Sequence, residues 1–228
     1  MIVVITGGSK GIGKSICRNL LKKKFQVINI SRSICSIKNV KNYKCDISKY
    51  RDVEEVFKKI KKFDVLINNS GISKFNNNNI DTFDKIIDIN LKGAYYCSIE
   101  ALKKLKKKKN SSIINICSIN AYQAFPNNPG YVSSKGGLLS LTRSLALDFA
   151  KFKIRVNSIS PGYIKTDMTK KSFKSKKKSN KRINRMMLNR WGKPNDLFGL
   201  VEYLISKKSS YTTGQDFVID GGWISKGL

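Results

Sequence analysis

Three observations predict an α/β fold with a parallel sheet covered by helices on both faces. Apolar runs of strand length alternate with amphipathic helical stretches along the whole chain, as strands joined by crossover helices do. The 228 residues are 40% hydrophobic, enough to supply the core of one large α/β domain or two small ones. No internal repeat and no Pro/Ser-rich linker interrupts the alternation.

The chain opens on Ile2-Val3-Val4-Ile5, a strand at 2–5 without the charged start, apolar stretch and cleavage site of a signal peptide. It runs into Thr6-Gly7-Gly8-Ser9-Lys10-Gly11-Ile12-Gly13 and a helical pattern over 11–24. Glycines there let the backbone turn tightly and approach a pyrophosphate. The helix start then offers its free N–H groups to the phosphate. The spacing is Gly-x-x-x-Gly-x-Gly, and taken alone it also fits an ordinary strand-to-helix turn. The next strand, 26–30, ends in Ser31-Arg32-Ser33. An NAD site usually places Asp or Glu here to accept from the ribose 2′-hydroxyl. This chain has no acidic residue before Asp46. Arg32, joined by Lys10, suits a 2′-phosphate instead. NADP(H) is therefore favoured over NAD(H).

A helix over 52–61 precedes a strand at 64–67, which ends in Asn68-Asn69-Ser70-Gly71. A long helical pattern over 82–108 contains Asn90-Leu91-Lys92-Gly93, and the strand 112–117 leads to Ser118. The helix over 130–150 carries Tyr131 and Lys135, four residues apart and so about one turn apart on one face. A phenol titrates near pH 10, and a neighbouring ammonium lowers that value by stabilising the phenolate. A strand at 154–159 is followed by Pro161-Gly162, then Ile164, Thr166 and Asp167. Residues 165–190 carry eleven basic side chains and one acid, Asp167, and read as a mobile lid. A helix over 195–206 and a strand at 216–219 close the pattern. Each singled-out group falls at the carboxyl end of a strand or on the helix facing it, where parallel sheets bind ligands.

Composition narrows the chemistry. No histidine is present, which excludes Ser-His-Asp and Cys-His catalysis and every His-containing zinc site. No metal site is expected. Five scattered cysteines without a CxxC pair read as free thiols in a reducing compartment, so the cytoplasm is expected. No apolar run is long enough to span a membrane. The formal charge is +30, from 37 Lys and 8 Arg against 15 acids. The excess is lysine, asparagine is also heavy (Asn76-Asn77-Asn78-Asn79), and the lysine runs at 103–109 sit at solvated helix ends. Composition drift explains the charge better than an anionic partner does, although any anionic ligand is attracted at low salt.

Together these residues resemble the short-chain dehydrogenase/reductase family over the whole chain. The matching pieces are the 6–13 loop, the turn at 68–71, Asn90, Ser118, Tyr131 with Lys135, and Arg155-Val156-Asn157. Pro161-Gly162, Thr213-Gly214-Gln215 and Asp220-Gly221-Gly222 complete the set. Ser70 stands where alanine is usual, and Cys117 before Ser118 is also less usual. The resemblance implies a single-domain, seven-stranded, doubly wound Rossmann sheet. It also implies hydride transfer between a nicotinamide and a carbonyl or alcohol. Tyr131 would be the general acid or base, and Ser118 would orient the substrate oxygen. Lys135 would hold the nicotinamide ribose and depress the Tyr131 pKa, and Asn90 would hold a water relaying protons to Lys135. Thr6, Gly7, Ser9, Lys10, Gly11, Ile12, Gly13 and Arg32 would bind cofactor. Asp46 and Asn68 would bound its adenine side, with Pro161, Gly162, Ile164 and Thr166 near the nicotinamide.

Reduction of 3-oxoacyl groups on acyl carrier protein is the first substrate expectation. A sugar, polyol or sugar-acid dehydrogenase is the alternative, suggested by polar Asn120, Gln123, Asn127 and Asn128 near the expected cleft. A nucleic-acid-binding scaffold is a remote third. It needs aromatics interleaved with the basic runs, and those at 103–109 and 174–178 have none. The family implies a homo-oligomer, dimer or tetramer, through the helices near 82–108 and 130–150 and the C-terminal segment.

Overall fold

The computed structural model describes residues 1–74, 79–106, 108 and 111–226. The asparagines at 76–78 and the lysines at 107 and 109 singled out above lie outside the described residues. Among the described residues the elements run β1 (Ile2–Thr6), α1 (Gly11–Lys22), β2 (Gln26–Ser31), β3 (Val40–Lys44), α2 (Tyr50–Lys59), β4 (Val65–Asn68), α3 (Ile80–Ile87) and α4 (Gly93–Leu105). They continue with β5 (Ser111–Ile116), α5 (Pro129–Ala150), β6 (Ile154–Pro161), α6 (Lys170–Phe173), α7 (Lys176–Ile183), α8 (Phe198–Ile205) and β7 (Asp216–Ile219). The seven strands are all parallel, in the order β3-β2-β1-β4-β5-β6-β7. The order reverses between β1 and β4. The crevice at the carboxyl ends of such strands is where this class of sheet takes ligands.

Alternate residues of each strand feed two separate cores, because side chains switch face at every position. Val4, Leu66, Ile113 and Val156 pack beneath the α2, α4 and α5 side with Phe57 and Phe149. Val3, Ile5, Val65, Ile67 and Ile114 pack with Leu20 of α1 and Val201 of α8. Burial on both faces explains why these strands read as continuous apolar runs.

Three expectations about elements change. β3 has the sequence VKNYK and was not legible as a strand, because it is an edge strand with only Val40 buried. The pattern over 82–108 is not one regular helix. A wide five-residue π turn, Asp88–Lys92, separates α3 from α4, and α4 ends at Leu105. The segment 165–190 is less bare than its composition suggests. It holds α6, α7 and a 3-10 turn at Asp167–Thr169, and Met186 within it is buried. Its stem is a bridge between Ile164 and Gly192, with Lys165 N–H donating to Gly192 O and Gly192 N–H to Tyr163 O. All five cysteines are buried free thiols. No helix among the described residues is long and apolar enough to cross a membrane.

Candidate active site

A cleft of about 390 Å³ runs along the carboxyl ends of the strands, from Lys10, Arg32 and Asp46 at one end to Ser118, Tyr131 and Lys135 at the other. Its chemistry is concentrated at the second end. Ser118 follows β5 and starts the 3-10 turn Ile119–Ala121, accepting from Asn120 N–H at 3.2 Å. Tyr131 and Lys135 sit one turn apart in α5, with the Lys135 Nζ 5.7 Å from the Tyr131 ring centre. Lys135 is buried, and its Nζ donates to the Ile116 carbonyl at 2.7 Å. An ammonium carries three donors. Burial lowers the Lys135 pKa from its ordinary value. Burial also pushes Tyr131 up to about 12, against the pull of a hydrogen bond with Ser118. Burial outweighs the opposing influences on the phenol, which keeps its proton at neutral pH, as a proton donor must.

Asn90 sits in the π turn and does not line the cleft. Its amide oxygen accepts from Ile72 N–H at 2.8 Å. Its amide nitrogen donates to Ile72 O at 2.9 Å and Ser134 Oγ at 3.0 Å. Ser134 Oγ donates in turn to Tyr131 O at 2.8 Å. Asn90 thus ties the turn after β4 to the first turns of α5. Both amide hydrogens are committed to protein partners, and Oδ1 accepts one bond of the two it can take.

The other end fits a dinucleotide. No side chain caps the start of α1, so its first N–H groups face the cleft beside Gly11 and Ile12 without a protein acceptor from a cap. Gly7 and Gly11 adopt positive φ of 69° and 51°, the left-handed region open to glycine. Asp46 lines the far end. Burial raises its pKa, but donation from the Ser48 hydroxyl and amide, with the Arg32 charge nearby, leaves it below the ordinary carboxylate value. The stem of the 165–190 segment borders the opposite side. Pro161, Gly162, Ile164 and Thr166 line the cleft, and Thr166 Cγ2 lies 3.4 Å from where a Cβ on Gly11 would be.

Of the residues singled out from sequence, Gly7, Ser9, Lys10, Gly11, Ile12 and Arg32 line the cleft, as do the others just placed there. Thr6, Gly13 and Asn68 do not. Thr6 Oγ1 accepts from Asn69 N–H and Ser70 N–H, both at 3.0 Å, and so holds the turn after β4 against β1. Gly13 lets α1 approach the loop. Asn68 points under the sheet, donating to Ser98 Oγ at 3.0 Å and Asn115 Oδ1 at 2.9 Å. Its neighbour Asn69 lines the cleft and donates to Thr6 O and Gly7 O. Sequence reasoning also missed Ile47, Ile72, Ile89 and Met168, all lining residues. Apolar side chains at a binding surface carry no spacing that separates them from core.

The sequence model described as enoyl-(acyl carrier protein) reductase matches residues 7–224. The chain belongs to the short-chain dehydrogenase/reductase family. It is 36% identical to the 3-oxoacyl-(acyl-carrier-protein) reductase of Rickettsia bellii, over 97% of this chain and 95% of that one. It is 32% identical to the 2-dehydro-3-deoxy-D-gluconate 5-dehydrogenase of Pseudoalteromonas atlantica, over 99% and 96%. Among solved structures, a 4-hydroxyisoleucine dehydrogenase complexed with NADH superposes with a TM-score of 0.94 at 34% identity, covering 99% of both chains. Short-chain dehydrogenases/reductases are oxidoreductases that use NAD or NADP, and this chain is one of them.

Proposed function

We propose that this short-chain dehydrogenase/reductase uses NADPH to reduce 3-oxoacyl groups carried on acyl carrier protein. The cofactor assignment is carried by Arg32, which lines the cleft just past β2 at a position with no Asp or Glu for a ribose 2′-hydroxyl, while Asp46 beyond β3 is engaged by Ser48. The substrate assignment is supported by the side chains a sugar would need. Asn120, Gln123, Asn127 and Asn128 are outside the cleft lining among the described residues. Asn128 donates to Ser73 Oγ at 2.8 Å, and the Asn120 Oδ1 accepts from Ser118 Oγ at 3.4 Å. Apolar Ile72, Ile89 and Met168 do line the cleft.

The nicotinamide, when bound, supplies the hydride. Ser118 and Tyr131 aim two donors at one carbonyl oxygen and stabilise the charge that grows there. The Tyr131 phenol gives its proton to that oxygen as the carbonyl becomes an alcohol. Lys135 lies beside the phenolate left behind and favours it electrostatically. The reading extends to a cytoplasmic homo-oligomer through α4 and α5, whose outer faces carry exposed Tyr95 and Leu147.

A sugar-acid dehydrogenase is the second reading, favoured by the similarity to the Pseudoalteromonas enzyme. NADPH oxidation with a 3-oxoacyl thioester on carrier protein, set against a keto sugar acid, separates the two. NADPH is expected to bind at least about tenfold more tightly than NADH, and Arg32→Asp to erase or invert that preference. Equal dissociation constants in the unaltered protein would sink the cofactor assignment.

A further inference from the structure

A buried amide network joins the glycine loop to the loop that carries Arg32, and no motif names its members. Asn29 lies in β2 and is 1% exposed. Its Oδ1 accepts from Gly8 N–H at 2.8 Å, and its Nδ2 donates to Ser31 Oγ at 2.9 Å and to Asn42 Oδ1 at 2.8 Å. Asn42 is in the edge strand β3. Its Oδ1 also accepts from Cys35 N–H at 2.8 Å, while its Nδ2 donates to Cys35 O at 3.2 Å and Val40 O at 3.1 Å. Ser31 Oγ passes on a hydrogen bond to Ser33 O. The backbone that follows Arg32 is therefore pinned at two places: Ser31 holds residue 33, and Asn42 holds residue 35 at both its N–H and its carbonyl.

The approach is close enough to dictate a residue in the loop. A Cβ at Gly8 would stand 2.8 Å from Asn29 Oδ1 and 2.7 Å from Cys17 Sγ. Gly8 is required by what lies beneath it and does not itself line the cleft. Every amide atom of Asn29 is partnered, and a fully satisfied buried network fixes one arrangement of the segments it joins. Arg32 itself is exposed, and a long exposed cation has many rotamers to lose on gripping an anion. Fixing the peptides around it lowers that cost.

We propose that Asn29 and Asn42 are positioning residues for cofactor selection. They hold the Arg32 loop in fixed register with the glycine loop, so that pyrophosphate and 2′-phosphate are met together. This rests on the NADP(H) reading above. Neither asparagine touches the cofactor-facing surface itself, and each acts through Gly8, Ser31, Ser33 and Cys35.

The test is the ratio of dissociation constants for NADH and NADPH, titrated on the unaltered protein and on Asn42→Ala. Asn42 is half-buried on an edge strand, so its truncation leaves the sheet core alone. The ratio is expected to fall about fivefold, the worth of one or two buried hydrogen bonds, through weaker NADPH binding, with NADH moving less than about twofold. A general loss of structure would weaken both cofactors alike and leave the ratio untouched. Ser31→Ala removes one hydroxyl and serves as the second variant, with an expected fall of about threefold. Because Ser31 also lines the cleft, Asn42→Ser decides if Asn42→Ala does not fold. An unaltered protein with a ratio near one defeats the NADP(H) reading before any variant is made. A ratio that favours NADPH in the unaltered protein and persists in the folded variants overturns the positioning role and leaves that reading standing.

Discussion

Along one wall of the cleft, the glycine loop is gripped from both sides by amides. Asn69 donates to Thr6 O and Gly7 O from the β4 side, and Asn29 accepts from Gly8 N–H from the β2 side. Along the other wall, residues 164–192 leave the sheet and return through a single bridge. That excursion is held by rings and cations as well as by hydrogen bonds, Trp191 Nε1 donating to Ser179 Oγ at 2.8 Å and Leu188 N–H to Gly221 O at 3.1 Å. Tyr163 packs edge-on against Trp191 and Trp223, with centroids 5.5 and 4.6 Å apart, while Arg182 and Arg185 stack on Tyr163 and Trp223. Directional buried hydrogen bonds allow one geometry, whereas ring and cation contacts tolerate more sliding. The first wall is built to hold a constant cofactor. The second is suited to open and close over a substrate, which is the lid movement we propose for it.

The largest effect expected from breaking this arrangement lies between the walls, at the chemistry. Tyr131→Phe removes one hydroxyl, and kcat should fall about a thousandfold while NADPH binds as before. No histidine exists to replace the lost acid. The same variant checks the titration. An ordinary phenol in the unfolded chain ionises near pH 10, while burial holds Tyr131 protonated up to about 12. The unfolded chain thus binds fewer protons between those values, and the folded protein loses stability as pH rises through them. Denaturant melts should show that extra loss above pH 10 in the unaltered protein and less of it in Tyr131→Phe.

The next effect tests the rigid wall. A Cβ on Gly13 would stand 2.4 Å from Gly7 O and 2.4 Å from Asn69 Nδ2. The first of these is backbone and has nowhere to go. Gly13→Ala should cost about 2 kcal/mol of stability and weaken NADPH tenfold or so, read by thermal melt and cofactor titration. A variant with normal affinity would mean that the loop is softer than its hydrogen bonds indicate.

The contrast between the walls also explains what was legible. Motif residues of the first wall and of the chemistry between the walls act close to their place in the chain, so Gly7, Gly11, Ser118, Tyr131 and Lys135 announced themselves by spacing. Their supports did not. Asn29 and Asn42 are thirteen residues apart and meet only because β2 and β3 pair in parallel. Asn68 and Asn69 were indistinguishable until the pleat of β4 sent one beneath the sheet and the other into the cleft. The π turn that carries Asn90 was hidden inside an unbroken helical pattern. On the lid side, composition suggested a bare basic segment. Its anchors Met186 and Trp191 are buried by contacts with Trp223 and Tyr163, which the sequence places far away or across a turn.

A smaller effect probes the lid surface. Lys174, Lys176, Lys177 and Lys178 are exposed. The Debye length shrinks from about 30 Å at 0.01 M salt to about 8 Å at 0.15 M. For an anionic substrate, kcat/KM should fall several-fold across that range and kcat should hold. Replacing the four lysines with Ser should flatten the slope. An unchanged slope would assign these lysines to composition drift.

The smallest effect separates the walls most cleanly. Arg185 is exposed, and its guanidinium lies 4.7 Å from the Trp223 ring centre. It joins the lid to the C-terminal segment without touching the glycine loop or Arg32. A stacked cation at an exposed site is worth a few-fold in an equilibrium. Arg185→Ala should therefore shift the lid toward its open form and raise KM for the carbonyl substrate about threefold. The NADPH dissociation constant and kcat should stay put, because neither the hydrogen-bonded wall nor the Ser118–Tyr131 pair has changed. Arg185→Lys keeps the charge and loses the flat stacking surface, so it should behave more like Ala than like Arg. If Lys restores KM, charge is what matters there, and attraction of an anionic substrate replaces the stacked clasp as the explanation. If Arg185→Ala weakens NADPH as much as substrate, the two walls move as one body, and the division between a fixed cofactor side and a closing substrate side fails.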